Sequence, residues 1–142
     1  MSEPLVERAL RESRWIVAGM AVSVAVVTAA ALRIDAVASP VLWPVSTTAL
    51  FGILSPVLGY RLYGWVRERA AAAGLAEKCR AFVRAHALAL GLSEGCALLG
   101  LVAFVLSRHP AALLGVATHA VLCGALWPGR ERLEGYLGDA AR

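Results

Sequence analysis

The chain has 142 residues, of which 59% are apolar and 17% are charged, and its mean hydropathy is +0.68. A soluble domain carries about 25% charged residues, so this composition excludes an ordinary water-soluble globule. The net charge of +4 is explained below by membrane topology, and we predict no nucleic-acid partner. Three cysteines without a CxxC pair predict neither a disulfide framework nor a zinc knuckle.

The first uncharged run, Trp15 to Leu32, would reach about 27 Å as a helix, close to the thickness of a bilayer core. We place the first span at residues 15–34. Ser2 can cap a helix that begins at Glu3-Pro4 and continues into this span. A cleaved signal peptide is the competing interpretation, because Ala29-Ala30-Ala31 resembles a cleavage site. The leading segment is long and carries Glu3, Glu7 and Glu12, so we expect a retained helix.

The second span is predicted at residues 41–63 and is the most polar span after the third, with Ser46, Thr47, Thr48 and Ser55-Pro56. Ser and Thr side chains can satisfy the backbone groups that Pro56 frees, and a kink is expected there rather than a substrate site. The helix should continue to Gly74, a natural stop, and a new helix should start at about Leu75.

The third span, residues 82–106, carries Glu94 near its middle, and the fourth covers residues 110–127. Pro110 suits a helix start, and Pro128-Gly129 suits a stop. We expect the segment after residue 130 to form a short surface helix. His86 and His109 flank the third span, and interfacial solvation explains both.

The basic residues fall mostly on one side of these spans, where twelve of the fourteen lie: Arg8, Arg11, Arg14, Arg61, Arg67, Arg69, Lys78, Arg80, Arg84, Arg130, Arg132 and Arg142. The positive-inside rule then places both termini in the cytoplasm. An interfacial aromatic belt is predicted at the span ends, formed by Trp15, Trp43, Tyr60, Tyr63, Trp65 and Trp127. The expected fold is an all-α membrane protein, a four-transmembrane-helix bundle in one domain, N-in and C-in, with short cytoplasmic helical extensions. Thirteen of the fourteen basic residues are Arg, which is typical of a GC-rich microbe, so we predict a microbial inner or cytoplasmic membrane.

Glu94 and His119 form the main candidate site, an intramembrane polar pair. The turn between the third and fourth spans is short, so these spans should be antiparallel neighbours. Folding the hairpin about Arg108 offsets Glu94 from His119 by about three residues, roughly 4.5 Å. Small-residue ridges should let the two helices approach closely; they are Ala111, Gly115, His119 and Cys123 on the fourth span, and Ala87, Gly91 and Gly95 on the third.

Three interpretations of the pair stay open. It could be a structural hydrogen bond that fixes the helix register, or a proton or cation relay, since ionisable groups inside membranes mark such paths. His119 and Cys123 could also bind a metal or haem, although His-xxx-Cys with one Glu is an incomplete ligand set. We predict no cofactor.

A cluster of basic residues at the middle connection could bind anionic lipid headgroups: Arg67, Arg69, Lys78, Arg80 and Arg84. Topology determination alone is the simpler explanation of this cluster. The sequence contains no Ser-His-Asp set, phosphate loop or HExxH motif. Enzymatic activity therefore stays undecided, and we favour a protein that is not an enzyme.

The segment LSEGCALLGLV resembles the carboxylate-bearing helix of c-type proteolipids from rotary ATPase rings. The resemblance would make Glu94 the ion-binding carboxylate, followed by Gly100-Leu101-Val102 as in that family. The preceding helix lacks the family's alternating glycines and the central loop is more charged, so we take the similarity as a shared helix pattern. The preferred function is a small integral or accessory subunit of a larger membrane complex, in contact with lipids and other membrane subunits. An ion relay through Glu94 and His119 is the first alternative, and a metal- or haem-binding redox protein is the second.

Overall fold

A computed structural model describes residues 3–34 and 43–138 and shows a helical protein, with no strand in these ranges. The helices are α1 (Glu3–Arg33), α2 (Trp43–Arg69), α3 (Leu75–Ser107), α4 (Leu114–Ala125) and α5 (Arg130–Leu137), and a 3₁₀ helix (Pro110–Leu113) precedes α4. The capping role predicted for Ser2 and the entry to the second span at residues 35–42 lie outside the described residues.

The helix predicted to run from the N-terminal segment into the first span is confirmed by α1, which has 31 residues. At a rise of 1.5 Å per residue it is about 46 Å long, and the 33-residue α3 is about 50 Å long. Both exceed the roughly 30 Å of a bilayer core. Each helix therefore has length to extend beyond the membrane.

The Ser55–Pro56 pair in α2 behaves as the sequence indicated. Pro56 has no N–H for the carbonyl of Gly52, four residues earlier, and the Ser55 hydroxyl donates to that carbonyl at 3.3 Å. Ser55 is buried, so the hydroxyl replaces a backbone hydrogen bond where water is excluded. The helix ends at Arg69 rather than at Gly74, and turns connect it to α3, which starts at Leu75 as predicted.

The returning hairpin turns tightly after α3. Arg108 ends the helix in the left-handed conformation, with φ of 55°, and its N–H donates to the Phe104 carbonyl at 2.7 Å. The Arg108 side chain also donates to the Ala31 carbonyl in the last turn of α1, at 3.3 Å. Cations suit helix C-termini because the last carbonyls there lack partners. Arg108 thus donates hydrogen bonds to carbonyls in the last turns of both α3 and α1.

The short helix expected after residue 130 is confirmed by α5, whose charged face is exposed and whose other face packs on the bundle. Its apolar face, Leu133, Tyr136 and Leu137, is buried. The chain bends by 75° between the segment Pro110–Ala125 and α5, which turns α5 across the ends of the other helices.

Each of the three long helices supplies one basic side chain to this C-terminal region. Arg14 donates to the Pro128 carbonyl at 3.1 Å, Arg67 to Gly135 at 2.9 Å, and Lys78 to Leu137 at 3.0 Å. These contacts fix α5 against α1, α2 and α3 at once. The larger buried cluster lies at the same end and includes Phe82 and Leu90 of α3.

Two described helices, Pro4–Arg33 and Leu75–Ser107, are long and apolar enough to cross a membrane. The bent pair formed by Pro110–Ala125 and α5 would make a third span if it is counted as one. The protein is therefore helical, with two or three apolar segments of membrane-spanning length.

Candidate functional site

The α3 and α4 segments approach each other closely at Gly115, one turn from His119, and at Gly100. A Cβ on Gly115 would be 3.0 Å from the Cys96 carbonyl oxygen and 3.2 Å from the Cα of Ala97, and a Cβ on Gly100 would meet the Ala112 carbonyl oxygen. Glycines at these points let the two backbones approach each other, as expected of membrane helices.

The prediction that Ala87, Gly91 and Gly95 form the face of α3 that meets α4 is wrong. The predicted close approach of the α4 ridge is confirmed at Gly115. Gly95 is exposed, and a Cβ there would meet nothing within 4 Å; the nearest group to a Cβ on Gly91 is the Met20 side chain of α1, at 3.9 Å. The face of α3 that meets α4 and α2 carries instead Ala89, Ser93, Ala97 and Gly100. Glycine spacing alone does not tell which face of a helix meets its neighbour.

The register of the hairpin also differs from the sequence estimate. Gly100 lies opposite Ala112, and His86 lies opposite Leu126. This register brings His119 level with Ser93, about one residue from Glu94 rather than three. The extended His109 and the 3₁₀ segment advance further per residue than an α-helix does, which shifts α4 along α3.

His119 is 1% exposed and has an incomplete set of hydrogen bonds. Its Nε2 lies 3.4 Å from the Cys123 sulfur, and its Nδ1 makes no hydrogen bond of standard geometry, although the Met20 backbone of α1 interacts with the ring. The hydroxyl of Ser93, at the same level, is also buried without a partner. The Ser93 hydroxyl without a partner and the weakly bonded His119 ring therefore both lie in the packed interior beside Glu94.

Glu94 is half-buried and interacts electrostatically with both His119 and Cys123. Neither a hydrogen bond nor an ion pair joins it to His119 in the described part of the chain. The sequence-predicted pair is thus brought into proximity but not into direct contact. Within residues 3–34 and 43–138, no three His, Cys, Asp or Glu side chains group closely enough to hold a metal ion.

The five basic residues assigned to lipid contacts all have protein partners. Arg67 and Lys78 donate to α5 carbonyls. The guanidinium of Arg69 lies 4.2 Å from the centre of the Trp65 ring. Arg80 and Arg84 pair with Glu77, at 2.7 and 3.5 Å. These residues organise the basic end of the bundle, and their outer surfaces remain exposed.

His86 was assigned to the interface by its sequence position, but it is fully buried. Its Nδ1 lies 2.8 Å from the Phe82 carbonyl oxygen, and its Nε2 lies 3.0 Å from that of Leu126. Tyr63, expected in the aromatic belt, is also buried and packs edge-on against His86 with ring centres 5.1 Å apart. Trp15, Trp65 and Trp127 are exposed, as expected of belt residues.

No protein-family model matches the chain, and no curated protein or solved structure is significantly similar to it. The class of protein is accordingly defined by the fold alone: a helical protein with two or three helices able to cross a membrane.

Proposed function

We propose that the chain is a small multi-pass protein of a microbial cell membrane, with four spans and both termini in the cytoplasm, and that it acts as an integral or accessory subunit of a larger membrane complex. The 27-residue α2 supports a fourth span, because it is about 40 Å long and packs along both α3 and α4. The segregation of charge supports the orientation. Arg14, Arg67 and Lys78 gather around α5, whereas Arg108 contacts the opposite end of α1.

The observation that carries the subunit role is the uncovered surface of α1. Only 17% of the residues in its most apolar stretch are buried, against 44% in α3. Ala25 and Ala29, one turn apart, are exposed beside the exposed side chains of Val22 and Val26. Small residues at this spacing let another membrane helix approach closely, so this face suits a helix of a neighbouring subunit.

Purification in mild detergent, followed by mass measurement of the intact particle, tests this role. We expect the parent to co-purify with a defined partner and Ala25→Phe to lose it without unfolding. Leu99→Phe, on an exposed part of α3, is the control and should retain the partner. A strictly monomeric parent, or equal retention in both variants, would contradict the proposal.

A second candidate function, proton or cation relay, is favoured by one observation at the site. Glu94, the weakly bonded ring of His119 and the unpartnered hydroxyl of Ser93 lie at nearly one level between α3 and α4. Buried polar groups are normally satisfied, and ionisable groups inside membranes often serve transport. Such an arrangement can accept water or a proton.

Ion flux into proteoliposomes tests the relay. Glu94→Gln removes the charge at nearly constant volume and is expected to abolish flux while the unfolding midpoint stays unchanged. Glu68→Gln, at the exposed basic end, is the control. Absence of flux in the parent, or normal flux in Glu94→Gln, would exclude the relay.

A further inference from the structure

A cleft of about 350 Å³ lies between α2 and α5 at the basic end of the bundle. Tyr63, Gly64 and Arg67 line it from α2, and Arg132, Gly135 and Tyr136 line it from α5. Arg67 lies three and four positions after Gly64 and Tyr63, and Arg132 lies three and four positions before Gly135 and Tyr136, so each set lies on one side of its helix. The two glycines leave the cleft open, because a Cβ on either would meet nothing within 4 Å.

Two guanidinium groups, those of Arg67 and Arg132, line this cleft and keep N–H donors that no backbone carbonyl uses. Arg67 uses one nitrogen for the Gly135 carbonyl at 2.9 Å, and Arg132 uses one for the Ala125 carbonyl at 2.6 Å. A guanidinium carries five N–H donors, so most remain available. No carboxylate of residues 3–34 or 43–138 forms an ion pair with either arginine.

Two phenol hydroxyls add donors to the same place. Tyr63 is 7% exposed and Tyr136 is 6% exposed, and neither oxygen makes a hydrogen bond of standard geometry. Their rings pack edge to face with centres 5.8 Å apart. Arg67 interacts electrostatically with both phenols, and Arg132 lies beside that of Tyr63. Burial raises the pKa of Tyr136 to about 12, so this hydroxyl keeps its proton at neutral pH and can donate it in a hydrogen bond.

We propose that this cleft binds a phosphate group through Arg67, Arg132 and the hydroxyls of Tyr63 and Tyr136. Guanidinium groups match phosphate geometry because parallel N–H donors can engage two oxygens. A buried hydroxyl without a partner is costly, and an anion in the cleft would satisfy that of Tyr136. The Tyr63 hydroxyl already interacts with the Arg132 guanidinium, and both groups could turn toward the same anion. The phosphate belongs either to an anionic phospholipid headgroup or to a free phosphate, and the proposal does not depend on the subunit role.

Binding to the full-length chain in detergent distinguishes these sources. Short-chain phosphatidylglycerol is titrated by native mass spectrometry, and inorganic phosphate is titrated by calorimetry and used as a competitor of the lipid. Arg132→Gln and Tyr136→Phe should each weaken binding about tenfold, since one hydrogen bond to a charged group is lost. Arg69→Gln, an exposed neighbour of the cleft that stacks on Trp65, should change binding less than about twofold.

Tyr136→Phe retains the ring packing, so it tests the hydroxyl even if Arg132→Gln disturbs the docking of α5. Saturable lipid binding with the expected variant pattern assigns a headgroup site, and the same pattern with inorganic phosphate alone assigns a soluble ligand. Equal weakening by Arg69→Gln and Tyr136→Phe would overturn the proposal, because it would indicate diffuse charge attraction. Absence of binding by both probes would overturn it as well.

Discussion

Replacing Gly52 by alanine should destabilise the bundle, because α2 contacts α4 at this residue without room for a methyl group. A Cβ on Gly52 would lie 2.8 Å from the amide nitrogen of Gly115 and 3.0 Å from its Cα. Both atoms belong to a helix backbone that cannot move alone. Overpacking a closely packed site costs about 1–3 kcal/mol, while glycine-to-alanine replacement inside a helix gains up to about 1 kcal/mol.

Gly64→Ala is the matched control, since it lies in the same helix and a Cβ there would meet nothing within 4 Å. The gain in helix propensity cancels between the two variants, so their free energies of unfolding should differ by about 1–3 kcal/mol. Reversible unfolding in mixed micelles, followed by circular dichroism, measures this difference. Equal stability of Gly52→Ala and Gly64→Ala would refute the close approach of α2 and α4.

Two further predictions concern the basic end of the bundle. His86→Phe keeps the ring but removes the contact with the Leu126 carbonyl, and should lower the free energy of unfolding by about 1–3 kcal/mol in the same assay; an unchanged value would show that this contact adds no stability. The hydrogen bond from Arg80 lowers the pKa of Glu77 below its ordinary value of 4.5. The stabilisation by this pair is therefore present above that value and is lost as the pH falls through the lowered pKa. The stability difference between parent and Glu77→Gln should disappear at acidic pH, and a difference that persists there would contradict this origin.

The helices of this chain could be read from the sequence because their positions depend on local signals. Long uncharged runs can form only helices if they lie in lipid, where every backbone group must be satisfied internally. Pro110 begins a helical segment, as its backbone preference predicted, and α3 starts at Leu75 as expected. The predicted stop of α2 at Gly74 was wrong, because α2 ends at Arg69. The hydrogen bond of Ser55 also follows from a local signal, because the adjacent Pro56 has no N–H and a nearby hydroxyl can replace it.

The contacts between helices were less accessible to sequence reasoning. The register of α3 against α4 depends on the left-handed Arg108 and on the rise of the 3₁₀ segment, and neither has a clear sequence signal. Folding the hairpin symmetrically about Arg108 therefore placed Glu94 too far along the axis from His119. The prediction of which α3 face meets α4 was wrong for a related reason, because several faces of this helix carry small residues.

The burial of His86 and Tyr63 was missed because it results from the docking of α5. A signal did exist: Leu133, Tyr136 and Leu137 form an apolar stripe at spacings of three and four on an otherwise charged segment. Such a stripe indicates a helix that packs on another surface. Applied to the tail, this rule would have predicted that α5 covers neighbouring side chains.

The docking of α5 also has a consequence for the order of assembly. This helix follows the others in the chain, and its position depends on Arg14 of α1, Arg67 of α2 and Lys78 of α3 together. It can therefore reach its final place only after all three long helices have packed with these basic side chains at one end of the bundle. A chain in which one of these helices ran the other way would lack a contact and leave the apolar stripe of α5 exposed.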